Sequence, residues 1–170
     1  VNEYYGDAYE VVLKGDVPVL DGASFALGVA NAEGLKSTER GDRDEYTVAV
    51  NYALGPLSLG VQKGLIAYDM VSDVGTDWIK NTYYGIAYAV NDNLSVSYQN
   101  NESQKKVSVA SGAATETGKS RTNTAQESDG ISVAYTVGGL KIAYVDNSHD
   151  NESYGSTSKD YRQVVIGVTF

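Results

Sequence analysis

The sequence predicts an all-β protein whose antiparallel strands follow one another in an up-and-down order. Large apolar residues alternate with small or polar ones in repeated segments. This is the period of a β-strand, because successive side chains point to opposite faces of a sheet. The segments are joined by connections that alternate between short and long, which is typical of an up-and-down wall. No stretch shows the periodicity of a helix.

The segment 45–54 (EYTVAVNYAL) shows the clearest alternation, since every second residue from Tyr46 to Leu54 is large and apolar. After a tight turn, the segment 57–69 continues the pattern. Lys63 interrupts its apolar stripe, so we expect a β-bulge there. The pattern predicts nine strands, at 8–14, 23–33, 45–54, 57–69, 81–90, 94–100, 130–137, 140–146 and 161–170. Short turns are predicted at 16–21, 55–56, 91–93 and 138–139, and long loops at 35–44, 69–80, 101–129 and 147–159.

The two faces of these strands differ in kind. One carries Val, Leu, Ile and Tyr, and the other carries mostly Gly, Ala, Ser, Asn and Gln. Exposed sheet faces of soluble proteins usually carry long charged residues, so the small face is unusual for a soluble β-sandwich. Tyr outnumbers Phe by 14 to 2, and a phenol suits the boundary between hydrocarbon and head groups. The pattern therefore favours an antiparallel up-and-down transmembrane β-barrel, with a soluble β-sandwich binding module as an alternative. The predicted membrane-interface aromatics are Tyr46, Tyr52, Tyr84, Tyr88, Tyr98, Tyr135, Tyr144 and Phe170.

Composition argues against several other classes of protein. The net charge of −9 disfavours nucleic acid as a partner, and the absence of Cys excludes disulfides and thiolate metal sites. The one histidine, His149, lies in a polar run, where we expect it to be a solvated loop residue. No arrangement of nucleophile, base and acid suggests catalysis, so we predict that the protein is not an enzyme.

Two acidic segments, 42–45 and 146–152, carry enough carboxylates to attract Ca²⁺. Neither has the ligand spacing of an EF-hand loop. Solvated loops are therefore the favoured interpretation of both segments, and no cofactor is predicted.

The paired segments EYTVAVNYALGPLSLGV, NTYYGIAYAVNDNLSVSYQN and DGISVAYTVGGLKIAYVDN, with the closing segment YRQVVIGVTF, cover most of the chain. Together they resemble the C-terminal portion of a general diffusion porin of Gram-negative outer membranes, of the alphaproteobacterial type. Phe170 and Val168 match the closing strand of that family, which ends on an aromatic residue. Val165 stands where the family usually has glycine, and Gly167 lies nearby.

The resemblance implies a 16-stranded barrel in the bacterial outer membrane, assembled as a homotrimer. It implies a water-filled channel for passive diffusion of ions and small hydrophilic solutes. In the family an inward-folded third loop narrows this channel. The implied partners are outer-membrane lipid, lipopolysaccharide and, through the C-terminal strand, the barrel-assembly machinery.

Nine strands do not close a barrel whose two ends lie on the same side of the membrane, because such a barrel needs an even number. We therefore expect residues 1–170 to form a single β-barrel domain that is the C-terminal part of a longer porin. The alternative removes 8–14 from the strands and leaves a complete eight-stranded barrel with a structural or adhesive role. Its interior would be filled by side chains, which Gly, Ala and Ser are too small to do.

If the small face lines a wet channel, its charged and amide side chains set the local potential and the ion preference. The predicted pore-lining residues are Glu10, Lys14, Glu45, Gln62, Gln99, Lys141 and Gln163.

Overall fold

A computed structural model describes residues 5–34, 40–70, 75–108, 120–122 and 125–169. These residues form one antiparallel sheet. Its strands are β1 (Tyr5–Asp16), β2 (Ala23–Gly34), β3 (Arg40–Leu54), β4 (Leu57–Met70), β5 (Gly75–Ala89), β6 (Leu94–Ser108), β7 (Ser120–Thr122), β8 (Gln126–Val137), β9 (Leu140–Asp150) and β10 (Lys159–Val168).

The strands lie in the sheet in chain order, β1-β2-β3-β4-β5-β6-β8-β9-β10, and the short β7 pairs with β6 outside this path. The all-β, antiparallel, up-and-down prediction is confirmed, and each of the nine predicted strands is present. Among the described residues β1 and β10 do not pair with each other, so the sheet is open. Within the same residues, no helix is long and apolar enough to cross a membrane.

The strands extend further toward the long loops than the alternation predicts. β6 continues through Ser108 although its predicted end was 100, and β5 begins at Gly75 rather than at 81. The predicted loops at 35–44, 69–80, 101–129 and 147–159 are therefore wrong at their edges. The physical reason is that backbone hydrogen bonds pair the strands in polar segments as well, where the contrast between the faces disappears.

The predicted β-bulge at Lys63 is also wrong. β3 and β4 stay in continuous register from Arg43↔Tyr68 to Leu54↔Leu57, with Lys63 directly opposite Val48. A lysine keeps the register without a bulge because its long stem can lie along apolar neighbours while its ammonium reaches a polar environment.

The sheet has no hydrophobic core among the described residues. The only buried apolar side chains there are the small ones of Ala23, Ala32 and Ala143. Most of the large apolar side chains lie on one face and are about half exposed, as shown by Ile86 and Ile142, each 42 % exposed, whereas a few, such as Val12 and Val165, lie on the other face. No second layer packs on the described residues as a β-sandwich would require. The premise of the eight-stranded alternative is wrong as well, because residues 8–14 lie in β1.

Candidate functional site

We call the face that carries Ser, Gly, Ala, Asn and Gln the polar face and the opposite one the apolar face. The polar face bears a cleft of about 480 Å³ across β3 to β9, which we call the central cleft. Gln62 and Gln99, two predicted pore-lining residues, both line it. Its other polar-face residues are Ala49, Asn51, Gly60, Tyr83, Gly85, Asn101, Ser128, Asn147 and His149.

Small residues keep the central cleft open. Gly60 on β4 lies directly opposite Gly85 on β5, so this part of the floor has no side chains. A Cβ at Gly85 would meet nothing within 4 Å, whereas one at Gly60 would lie 2.8 Å from Asn51 Oδ1. The polar groups of these residues are amides, hydroxyls and one imidazole. Asp129 also lines the cleft, but its carboxylate accepts hydrogen bonds from Tyr98 and Asn100 on the apolar face. The polar-face side chains of the cleft therefore offer mainly uncharged hydrogen-bond donors and acceptors.

His149 is not a loop residue, which corrects the sequence-based expectation. It lies in β9 opposite Ser128, whose Oγ is 2.7 Å from His149 Nδ1. The ring of Tyr161 meets the imidazole edge-on, with centroids 5.2 Å apart. His149 is thus a half-buried member of the central cleft, fixed by neighbours on β8 and β10.

A second cleft of about 350 Å³, the β1–β3 cleft, contains two other predicted pore-lining residues, Glu10 and Glu45. They lie in one row across the sheet, because both pair with Ala30 on β2. Two strand spacings separate them by about 10 Å. Arg43, placed in a loop by the sequence prediction, lies in this cleft and pairs with Glu45 at 2.6 Å. The continuing alternation of β3 was the signal that could have placed Arg43.

The other three predicted pore-lining residues lie on the same face but in neither cleft. Lys14 pairs with Ala26, and Lys141 lies between Thr136 and Gly167. Gln163 lies opposite Val145 on the open edge of the sheet.

The predicted interface tyrosines lie on the apolar face near the two ends of the apolar stretch of their own strands, and we call the end toward the long loops the upper level and the end toward the short turns the lower level. Four of them mark the level at which this face changes from apolar to polar, since the next residue toward the loops on the same strand face is Asp44, Thr82, Asn100 or Asp146. Tyr98 donates a hydrogen bond to Asp129, and Tyr144 donates one of 3.0 Å to Asp146. This upper level comprises Tyr46, Tyr84, Tyr98 and Tyr144.

The lower level consists of Tyr52, Tyr88 and Tyr135, which lie within two residues of the strand ends at the short turns. Between the levels the apolar face is unbroken by charge on β3, where it extends about 26 Å from Tyr46 to Leu54 at ~3.3 Å per residue. Strands of outer-membrane barrels tilt by about 35–45°, so this strand length corresponds to about 20 Å along the membrane normal, somewhat less than the ~25 Å apolar band of such barrels. Phe170, the eighth predicted aromatic, lies outside the described residues.

The sequence prediction missed Trp78, which was placed in a loop. It lies on β5 opposite Ala67, two residues beyond Lys80, whose Nζ is 4.4 Å from the centre of the indole ring. Trp78 and Lys80 continue the alternation of Thr82 and Tyr84 toward the long loops. They add an aromatic and a cation to this face beyond Tyr84, toward the long loops.

The two acidic segments do not form loops around a common centre. Asp44 accepts a hydrogen bond of 2.8 Å from Asn31, and Asp42 accepts one of 2.9 Å from the Gly34 amide. Asp146 is paired with Arg162 at 3.1 Å. In the part of the chain that the structure describes, no three His, Asp or Glu side chains are placed to hold a metal ion together.

Comparison with known proteins yields no family for this chain. No protein-family model, no curated protein and no solved structure matches it.

Proposed function

We propose that this chain forms part of the wall of an outer-membrane porin, a water-filled channel for passive diffusion of ions and small hydrophilic solutes. The observation that carries the proposal is the contrast between the two faces of a single sheet. Within the part of the chain that the structure describes, one face exposes large apolar side chains with nothing packed on them, and the other bears polar clefts.

The apolar face supports a lipid environment. In water, an uncovered sheet forgoes the ~1.5–3 kcal/mol that burying each Val, Leu, Ile or Phe side chain contributes. Hydrocarbon against this face provides that burial without a second protein layer. The tyrosines at its two levels supply hydroxyls where lipid meets water, as in the aromatic girdles of membrane barrels.

The polar face supports a wet lumen. The polar-face side chains of the central cleft are mainly neutral amides and hydroxyls, which can hydrate a passing solute without holding it. Charge enters through the β1–β3 cleft, where Glu10, Arg43 and Glu45 lie together. Lining charges of this kind set the ion preference of a channel rather than block it.

The open edges of the sheet must be closed if the strands cross a membrane. Unpaired N–H and C=O groups cost several kcal/mol each in hydrocarbon, so barrels leave no free edge. We infer that β1 and β10 pair with further strands of the same barrel. The homotrimer, the contacts with outer-membrane lipid and lipopolysaccharide, and insertion by the barrel-assembly machinery belong to the proposal through the resemblance to porins alone.

Fractionation followed by electrical recording tests the proposal. The native protein should sediment with membranes, require detergent for extraction, and produce stepwise ion conductance in a planar bilayer. Extraction into aqueous buffer without detergent would contradict the membrane location. Protein that inserts into bilayers but never conducts would contradict the channel while leaving the membrane barrel intact.

A further inference from the structure

The loop between β9 and β10, residues 151–158, lies against the polar face at its long-loop end. Two hydrogen bonds join it to the start of β8. Asn151 Nδ2 donates to the Ala125 carbonyl at 2.9 Å, and the Ser153 amide donates to Gln126 Oε1 at 3.0 Å. The loop therefore bends back over the sheet instead of continuing in the direction of its strands.

Tyr154 carries the loop further across the sheet, past β9 and β8 to β6. Its hydroxyl is 2.8 Å from Ser103 Oγ, and Ser103 in turn donates to Asn81 Oδ1 on β5 at 2.6 Å. Because the Ser103 proton is directed to Asn81, the Tyr154 hydroxyl is the donor to Ser103. Lys105 Nζ lies 5.4 Å from the centre of the Tyr154 ring. Ser103 is only 7 % exposed, so this is a packed contact on an otherwise open face.

The backbone of the loop is held in an unusual shape. Asn151, Ser153 and Tyr154 have φ values of 55°, 57° and 61°, in the left-handed region that costs a non-glycine residue about 1–2 kcal/mol. Non-glycine residues keep this conformation only where their surroundings impose it. Glu152 supplies part of that constraint, because its amide donates to the Thr157 carbonyl at 2.8 Å and its carboxylate pairs with Lys159.

The ion pair between Glu152 and Lys159 joins the loop to the first residue of β10. Lys159 begins β10 at the loop end of the sheet, above the apolar band. The hydrogen bond to the Glu152 carboxylate, together with its negative charge, raises the pKa of Lys159 above its ordinary value. The protonated form of Lys159 is therefore favoured by the same contact that constrains the loop.

The position of Tyr154 relates it directly to the central cleft. Ser103 pairs with Gln126, and two residues below on the same strands Asn101 pairs with Ser128. Asn101 and Ser128 both line the central cleft. The phenol thus lies one polar-face position beyond the cleft, at its long-loop end.

We propose that Tyr154 is a specificity-determining residue that narrows the long-loop entrance of the central cleft and so limits the size of the solutes that pass. This inference rests on the proposed channel function. The loop is preset by its hydrogen bonds and strained backbone, so the restriction is a fixed feature of the wall. The amides and hydroxyls below Tyr154 make neutral polyhydroxylated solutes the class whose size it would sort.

Solute-size measurements on the full-length protein in liposomes test this role. Uncharged sugars of increasing size are supplied to wild type, Tyr154→Ala, Tyr154→Phe and Tyr154→Trp. Tyr154→Ala should shift the size limit to larger sugars, and Tyr154→Trp should shift it to smaller ones. Tyr154→Phe retains the ring but loses the donor to Ser103, so its limit should lie between those of wild type and Tyr154→Ala.

Ser103→Ala removes the same hydrogen bond from the other side and should behave like Tyr154→Phe. Ser95→Ala is the matched control, because Ser95 lies on the same strand and face at the opposite end of the sheet. If the wild type conducts and the size limits of wild type, Tyr154→Ala and Tyr154→Trp are identical, the role of Tyr154 is overturned while the proposed channel function stands. A wild type that inserts but does not conduct would overturn the proposed function, and the role of Tyr154 with it.

Discussion

Val48 on β3 lies directly opposite Lys63 on β4, so a lysine shares a row with a valine on the apolar face, one position from Tyr46. Lys63 also lines a groove of about 530 Å³ whose other members include Leu27, Tyr46 and Leu65. On its other side, Lys63 lies opposite Thr82 of β5. If lipid covers this face, the lysine stem lies along apolar neighbours and the ammonium extends toward the head groups.

The first prediction is that Lys63→Leu stabilises the protein in a bilayer. Lys63 lies near the upper level of the apolar face, where a lysine on a lipid-facing strand costs about 0–1 kcal/mol. The free energy of unfolding should therefore rise by up to ~1 kcal/mol, measured by urea titration in lipid vesicles. Lys141→Leu on the polar face is the control. An equal gain in the free energy of unfolding there would contradict the claim that lipid covers the face on which Lys63 lies.

The second prediction separates the two faces by one residue. Ile86 lies on the apolar face midway between Tyr84 and Tyr88, whereas Ala87 lies on the polar face. Ile86→Arg should cost about 2–4 kcal/mol in lipid, because the charge enters the middle of the apolar band. Ala87→Arg should insert normally, since its charge reaches the aqueous side. Folding yield into vesicles measures both, and equal yields would show that the apolar face does not meet hydrocarbon.

The third prediction concerns charge in the β1–β3 cleft. Glu10→Gln, alone and combined with Glu45→Gln, should lower the preference of the channel for cations. The reason is that a negative lining raises the local cation concentration. Reversal potentials under a salt gradient measure the change, which should shrink at high ionic strength through screening.

Glu127→Gln serves as the control for this charge change, because Glu127 lies on the apolar face opposite Glu102. It removes the same charge from the other side of the sheet. A shift in reversal potential as large as that of Glu10→Gln would mean that net charge, rather than position in the cleft, sets the preference.

The fourth prediction concerns two turn glycines with positive φ. Gly55 has φ of 55° and open space around it, so Gly55→Ala should cost only the ~1–2 kcal/mol of a left-handed non-glycine residue. Gly22 has φ of 80°, and its added Cβ would collide with the Ala53 carbonyl oxygen. Gly22→Ala should therefore lose more stability than Gly55→Ala. Thermal unfolding measures the loss of stability in both variants, and an equal loss would contradict the expected collision at Gly22.

The sequence was sufficient to predict the sheet because the apolar band imposes a period of two wherever it exists. From Tyr46 to Leu54 the alternation is complete, and the strand lies where it was predicted. Beyond the band both faces are polar, so the same signal vanishes while the backbone pairing continues. For this reason Trp78, Arg43 and His149 were assigned to loops although each lies in a strand.

No alternation of apolar and polar residues indicates the position of Tyr154. Glycine is the residue that usually indicates a left-handed backbone conformation in a sequence. Asn151, Ser153 and Tyr154 adopt that conformation although none of them is glycine. Their conformation follows from hydrogen bonds to Ala125, Gln126 and Ser103, which are distant in the sequence. Contacts of this kind can be recognised only after the strands between them have been placed in register.

The neighbour-to-neighbour order of the strands also defines how the sheet can fold. Among the described strands no crossover has to form, since each strand on the main path pairs with the one before it on that path, and the short β7 pairs with β6 outside it. Each completed hairpin presents an edge on which the next can dock, so each closure spans only the connection between two successive strands of the main path, and its entropic cost grows slowly with the length of that connection. The sheet can therefore grow by successive addition from any hairpin, with β1 and β10 the last edges to find partners.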